Sequence, residues 1–158
     1  MEAGFLEIVD ESINLELNAS RLYTLFHETF PEHAGLWWGL VVEEKNHAAL
    51  LRSIKECFAP AEIFPAELLA SSLQVIQKNN AELLRLIKQF EKVPPTVEES
   101  FRVALELEQS AGEAHYQQFM GRQVESRIDL IFQKLNKEDK NHAERLLAYM
   151  KNKGISVE

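Results

Sequence analysis

Cysteine is nearly absent from this chain. The 158 residues hold one, Cys57, which excludes an internal disulfide and any metal knot built on paired cysteines. A reducing, cytoplasmic setting is the expectation that follows. Glycine and proline are scarce, six and five in all. They cluster near segment boundaries and leave long stretches free to keep a helical period. No apolar run is long enough to cross a bilayer, and Met1-Glu2-Ala3-Gly4 lacks the basic start of an export signal. Excess positive charge is missing too. Lys and Arg number 17 against 25 Asp and Glu, a formal net charge of -8, which argues against a nucleic-acid or anionic-membrane partner.

What is there suits one globular domain spanning residues 1–158. Forty-six per cent of the residues are apolar and 27% charged, and a chain of this length can bury a substantial core. The apolar spacing predicts helix one from Glu2 to Thr29, stopped before Pro31, with Phe5, Val9, Ser12, Glu16, Ala19, Tyr23 and Phe26 inward. Helix two is predicted from Ala34 to Phe58, with Leu40, Glu44, His47, Leu51, Ile54 and Phe58 on one face. A helical stretch from Ala66 to Lys92, bent or interrupted at Asn79-Asn80, would carry the chain back along the bundle for about 40 Å. Pro94-Pro95 ends it, and Thr96-Val97-Glu98-Glu99 fits a capping box opening helix three. Phe101, Leu105, Glu108, Ala111, His115 and Phe119 would face inward, and Gly121 would end that helix. Helix four is predicted from Val124 to Lys153, with Ile128, Phe132, Leu135, Asp139, His142, Leu146 and Tyr149 inward. The expectation is all-α: an antiparallel four-helix bundle with a long, partly helical crossover between helices two and three.

Within these stripes one hexapeptide is nearly repeated. Glu43-Glu44-Lys45-Asn46-His47-Ala48 returns as Glu138-Asp139-Lys140-Asn141-His142-Ala143. Each copy sets a carboxylate three residues before a histidine, so both side chains lie on one helix face. Glu16, Glu44, Glu108 and Asp139, one per helix, stand where the apolar period calls for Leu or Ile. A lone buried carboxylate costs several kcal/mol or takes up a proton. Four together would repel strongly, whereas two divalent ions supply four positive charges against them. At about 1.5 Å per residue the four acids fall in one layer along the bundle. Leu15-Glu16 with Ala19 and Ser20 echoes Leu107-Glu108 with Ala111 and Gly112, which implies a pseudo-twofold centre. On this reading Glu16 and Glu108 bridge, Glu44 and Asp139 are terminal, and His47 and His142 each take one metal.

These residues reach a known pattern. A Glu from each of two helices, with carboxylate-x-x-His from the other two, resembles the ferritin-like di-iron carboxylate proteins. More narrowly, the chain is similar to the rubrerythrin-like branch. Glu16 with Tyr23 seven residues on, Glu44-Lys45-Asn46-His47-Ala48, Glu106-Leu107-Glu108 with Tyr116, and Asp139-Lys140-Asn141-His142-Ala143-Glu144-Arg145 look like its four helix motifs, in order. Three departures stand out. Asp139 replaces the usual Glu, Ala111 stands where rubrerythrin proper has a further Glu, and there is no cysteine-rich rubredoxin module.

The resemblance implies two iron ions, with manganese or zinc as alternatives, and oxidase- or peroxidase-type chemistry on dioxygen or hydrogen peroxide. Electrons would come from an external donor such as a rubredoxin-type protein, and the chain would be a homodimer or larger homo-oligomer. The alternatives are an iron-handling ferroxidase or storage protein of the ferritin type, and a bundle with a degenerate metal site. Tyr23 is either a redox-active group or one holding a metal-bound carboxylate by its hydroxyl, or plain core packing with one hydrogen bond. Glu106 and Glu138 read as solvated neighbours, with Glu138 in place of Asp139 as the alternative; His115 reads as a core histidine, with a proton relay as the alternative; and of Trp37 and Trp38 at least one should face outward or toward the crossover.

Overall fold

The computed structural model describes residues 3–58, 72–110, 130, 133 and 142–156. Among them the chain is all-helical. Helix α1 (Ala3–Thr29) leads through a 3-10 turn (Pro31–His33) into α2 (Ala34–Phe58). Then come α3 (Leu73–Lys92), α4 (Val97–Glu108) and α5 (His142–Lys153). Helix α1 lies at the centre of the contacts, packing along α2 and α3 and touching α4, while α4 packs on α5. No described helix is long and apolar enough to cross a membrane.

The α1–α2 hairpin follows from local chemistry. Pro31 has no N–H to continue a helix and pushes the preceding residue out of the α region; Phe30 accordingly has φ -123° and ψ 80°. Its own N–H still closes the last turn on the Phe26 carbonyl at 2.9 Å. His27 Nδ1 lies 3.0 Å from the Ala34 carbonyl and ties the end of α1 to the start of α2. The hairpin sandwiches an aromatic core. Tyr23, Phe26, Trp37 and Phe101 are fully buried, and Phe90 of α3 closes on Phe26 with ring centroids 6.0 Å apart. Truncating one such aromatic to Ala typically costs about 3–5 kcal/mol. Trp38, next to Trp37, is 50% exposed, as the helical wheel requires.

Helix α3 buries Ile76, Asn80, Leu83, Ile87 and Phe90, steps of three and four residues that make one stripe. It differs from expectation in two ways. It begins at Leu73, because Ser72 is extended and caps it, its hydroxyl accepting from Val75 N–H at 3.4 Å. Twenty residues make it about 30 Å long rather than 40. Nor do Asn79 and Asn80 interrupt it. The buried Asn80 amide donates to the Glu11 carbonyl at 2.9 Å and to Glu11 Oε2 at 2.7 Å, and its oxygen accepts from Asn18 at 3.1 Å. A residue that favours turns is held in the helix by bonds to α1.

Helix α4 opens as predicted, with Thr96 Oγ1 accepting from Glu99 N–H at 3.1 Å. It closes earlier than predicted. Gln109 N–H bonds back to the Leu105 carbonyl and Ser110 N–H to Leu107, so Glu108 is its last residue. Ser110 and Gly112 are poor helix formers, a local reason for the stop. Helix α5 ends in a Schellman turn: Gly154 has φ 69°, and Ile155 N–H reaches the Met150 carbonyl at 2.9 Å. The expected inward positions Ala111, His115, Phe119, Ile128, Phe132, Leu135 and Asp139 lie outside the described residues, as does the helix end at Gly121.

Candidate metal centre

Five of the six expected ligands fall within the described residues, and all five come together. Glu16 from α1, Glu44 and His47 from α2, Glu108 from the end of α4 and His142 from the start of α5 are buried, none more than 5% exposed. They form two groups that each could hold a metal ion, Glu16–Glu44–His47 and Glu44–Glu108–His142. Within each group the candidate ligand atoms lie within 4.8 Å of one another. His47 Nδ1 is 3.6 Å from Glu16 Oε2 and 3.7 Å from Glu44 Oε2. His142 Nδ1 is 3.1 Å from Glu44 Oε1 and 3.2 Å from Glu108 Oε2. The two imidazoles face each other nearly parallel, 5.5 Å between centroids. The sixth expected ligand, Asp139, lies outside the described residues, as does Glu138. Glu106 is exposed, as expected.

Glu44 is common to both groups, whereas Glu16 and Glu108 belong to one each among the described residues.

Protonation follows from crowding. Burial, and then the neighbouring Glu44 charge, push Glu16 up to about 8. Burial alone would also raise Glu44, but bonding to Glu16, His142 and His47 outweighs it and holds Glu44 well below the ordinary carboxylate range. Burial and the Glu44 charge also raise Glu108. Burial opposes a charge on His142, yet Glu108, Glu43 and Glu44 overrule it and push His142 far above its usual value. Without a metal, protons on Glu16 and His142 offset part of the crowded carboxylate charge.

Whether a metal fits can be judged from the lone pairs. Glu16 Oε2 and both oxygens of Glu44 meet no hydrogen bond of good geometry among the described residues although all three are buried. Buried acceptors left in that state cost about 1–3 kcal/mol each. They converge with imidazole nitrogens on the same two spots, a donor set of carboxylate oxygen and imidazole that suits iron, manganese or zinc.

Two partners steady these ligands. Tyr23 Oη donates to Glu108 Oε1 at 2.5 Å. The other was missed. Glu43, which precedes Glu44, does not face water: its Oε2 sits 2.8 Å from His142 Nε2, and Arg145 Nη1 holds both its oxygens at 2.8 Å. A carboxylate at the ring nitrogen opposite Nδ1 is an arrangement that steadies ligating histidines. The available signal was the acid opening both hexapeptide copies, Glu43 and Glu138.

Set against models of known families, characterised proteins and solved structures, the chain finds no match.

Proposed function

We propose that this chain is a non-haem di-iron protein of the rubrerythrin-like kind, with oxidase- or peroxidase-type activity on dioxygen or hydrogen peroxide. The observation that carries the reading is the sharing of Glu44 between two buried carboxylate–histidine groups. The bundle would be ferritin-like, α3 forming the crossover between α2 and α4, and Asp139 would complete the second ion's ligands.

Two iron ions, when bound, supply two electrons to a small oxidant as they pass from ferrous to ferric. The remaining work belongs to the chain. Glu44 with Glu16 and His47 would hold one ion, and Glu44 with Glu108 and His142 the other. Glu43 pairs with His142 from its Nε2 side, and Tyr23 holds Glu108 by its hydroxyl. Ala19 and Ser20, small and buried one turn beyond Glu16, leave space beside the ligands, and the aromatic core keeps bulk water out. An external donor, such as a rubredoxin-type protein, would restore the electrons.

Metal analysis of natively purified protein tests the binding, and anaerobic ferrous loading followed by hydrogen peroxide or air tests the chemistry. The expectation is about two metal ions per chain and oxidant consumption that ceases in Glu44→Ala. Protein carrying less than about one metal ion per chain, with no rise in melting temperature on adding ferrous iron, would overturn the proposal.

A further inference from the structure

We propose that Tyr23, Trp37, Phe101 and Tyr149 form a one-electron path from the carboxylate–histidine cluster to the surface beside His33. The inference rests on reading that cluster as a redox metal centre, and it adds the route by which single electrons reach it. The rings form an unbroken series. Tyr23 stacks on Trp37 with centroids 5.8 Å apart, Trp37 meets Phe101 at 4.7 Å, and Phe101 stacks on Tyr149 at 5.8 Å. At such separations aromatic rings touch. Electron tunnelling decays exponentially with distance, so touching rings of oxidisable side chains outcompete the longer way through helix backbone. Phe101 is not itself oxidised at potentials that oxidise Tyr or Trp, and it fills the single gap in the series.

Proton placement marks this cluster off from ordinary core packing. Oxidising a phenol makes its proton strongly acidic, so a tyrosine relays electrons readily only where a base stands at its hydroxyl. Both tyrosines have one. The Tyr23 hydroxyl is 2.5 Å from Glu108 Oε1 at the inner end, and the Tyr149 hydroxyl is 2.8 Å from His33 Nδ1 at the outer end. Trp37, between them, is fully buried, and its indole Nε1 has no hydrogen-bond partner among the described residues. Oxidised, it would keep its proton as a cation radical and pass the charge on. Tyr149 and His33 are half-buried and give the path its outlet.

For each electron delivered inward, Tyr23 loses one electron to the oxidised centre and its phenolic proton moves to Glu108. Trp37 refills Tyr23, which recovers that proton. Tyr149 refills Trp37, losing its own proton to His33, and a one-electron reductant at the surface restores Tyr149.

The test runs the path from outside in the full-length chain without added metal, using photogenerated tris(bipyridyl)ruthenium(III) as the one-electron oxidant. Ruthenium(III) becomes ruthenium(II) as the hole enters at Tyr149 and settles on Tyr23, with the proton on Glu108. Paramagnetic resonance of wild type should give a tyrosyl radical that disappears in Tyr23→Phe. Trp37→Phe and Tyr149→Phe should each lower that Tyr23 radical several-fold, while Trp37→Phe leaves the Tyr149 radical intact. Tyr149→Phe alters only a half-buried hydroxyl, so it remains informative even where Trp37→Phe disturbs folding. An unchanged Tyr23 yield in both variants, or oxidation of Tyr149 in wild type with none at Tyr23, would overturn the path. No metal takes part, so this outcome is separable from metal content, which judges the centre itself.

Discussion

Metal binding at this cluster should be a competition with protons, and the structure sets its size. Glu16 is raised from an ordinary 4.5 to about 8, so near pH 6 it is almost wholly protonated. Freeing it for a cation there costs about 2.7 kcal/mol, roughly a hundredfold in affinity. His142, held cationic by Glu108, Glu43 and Glu44, must also release a proton to bind. Filling both positions should therefore expel about two protons per chain, and apparent affinity should climb by up to about a hundredfold per pH unit below pH 8. Above that, once Glu16 has ionised, the slope falls to about tenfold.

Stability without metal has the opposite trend. A carboxyl whose folded value is raised contributes fully below its unfolded value of 4.5 and loses that contribution as pH rises through about 8. The span corresponds to at most about 5 kcal/mol. His142, also raised, acts in the same direction above its ordinary 6.5. Glu44, lowered, acts on the acid side, where its contribution is lost as pH falls. Metal-free protein should thus be most stable in mildly acidic solution and melt progressively lower toward pH 8, and a saturating divalent ion should remove that decline. Calorimetric titration of manganese(II) in two buffers of different ionisation enthalpy counts the protons, and thermal melts across the same pH range follow stability. Binding without proton release, or metal-free melting that does not fall between pH 6 and 8, would refute the reasoning.

Because Glu44 serves both groups, Glu44→Ala should reduce bound metal from about two to about zero per chain, whereas Glu16→Ala should leave about one; metal analysis distinguishes them. Glu43→Ala should weaken metal binding about 10–100-fold through loss of the His142 orientation. By contrast Arg145→Ala, which removes a side chain 41% open to solvent, should cost less than about 1 kcal/mol of stability. Asn80→Leu should destabilise the α1–α3 contact by about 1–3 kcal/mol, since Glu11 and Asn18 lose their partner; urea unfolding reads this directly.

The helices and the inward stripes were legible because both are local. Pro31, Thr96 and the period of three and four residues act within one or two turns, and α1, α2 and the opening of α4 lie where the sequence places them. The same locality explains the residues gathered at the centre. Glu44 and His47 share a face by spacing alone, and an acid in an apolar stripe announces itself. Two boundaries went astray, at Ser72 and Glu108, where a serine cap and a turn end helices whose apolar pattern continues past them. Asn80 went astray for the reverse reason: its turn-favouring amide is satisfied by Glu11 and Asn18, 69 and 62 residues away in the chain.

The order of atoms within the centre belonged to the tertiary structure alone. Which acid is common to both histidine groups depends on how each helix is rotated about its axis, and no spacing within one helix encodes that. The tertiary structure therefore put Glu44 in both groups, turned Glu43 onto a histidine 99 positions later, and set Tyr23 against both Glu108 and Trp37. The sequence by itself determined that buried carboxylates and imidazoles would meet. Their partners were decided by helix packing, because contacts between helices arise from the orientation of whole faces and not from the residues beside them in the chain.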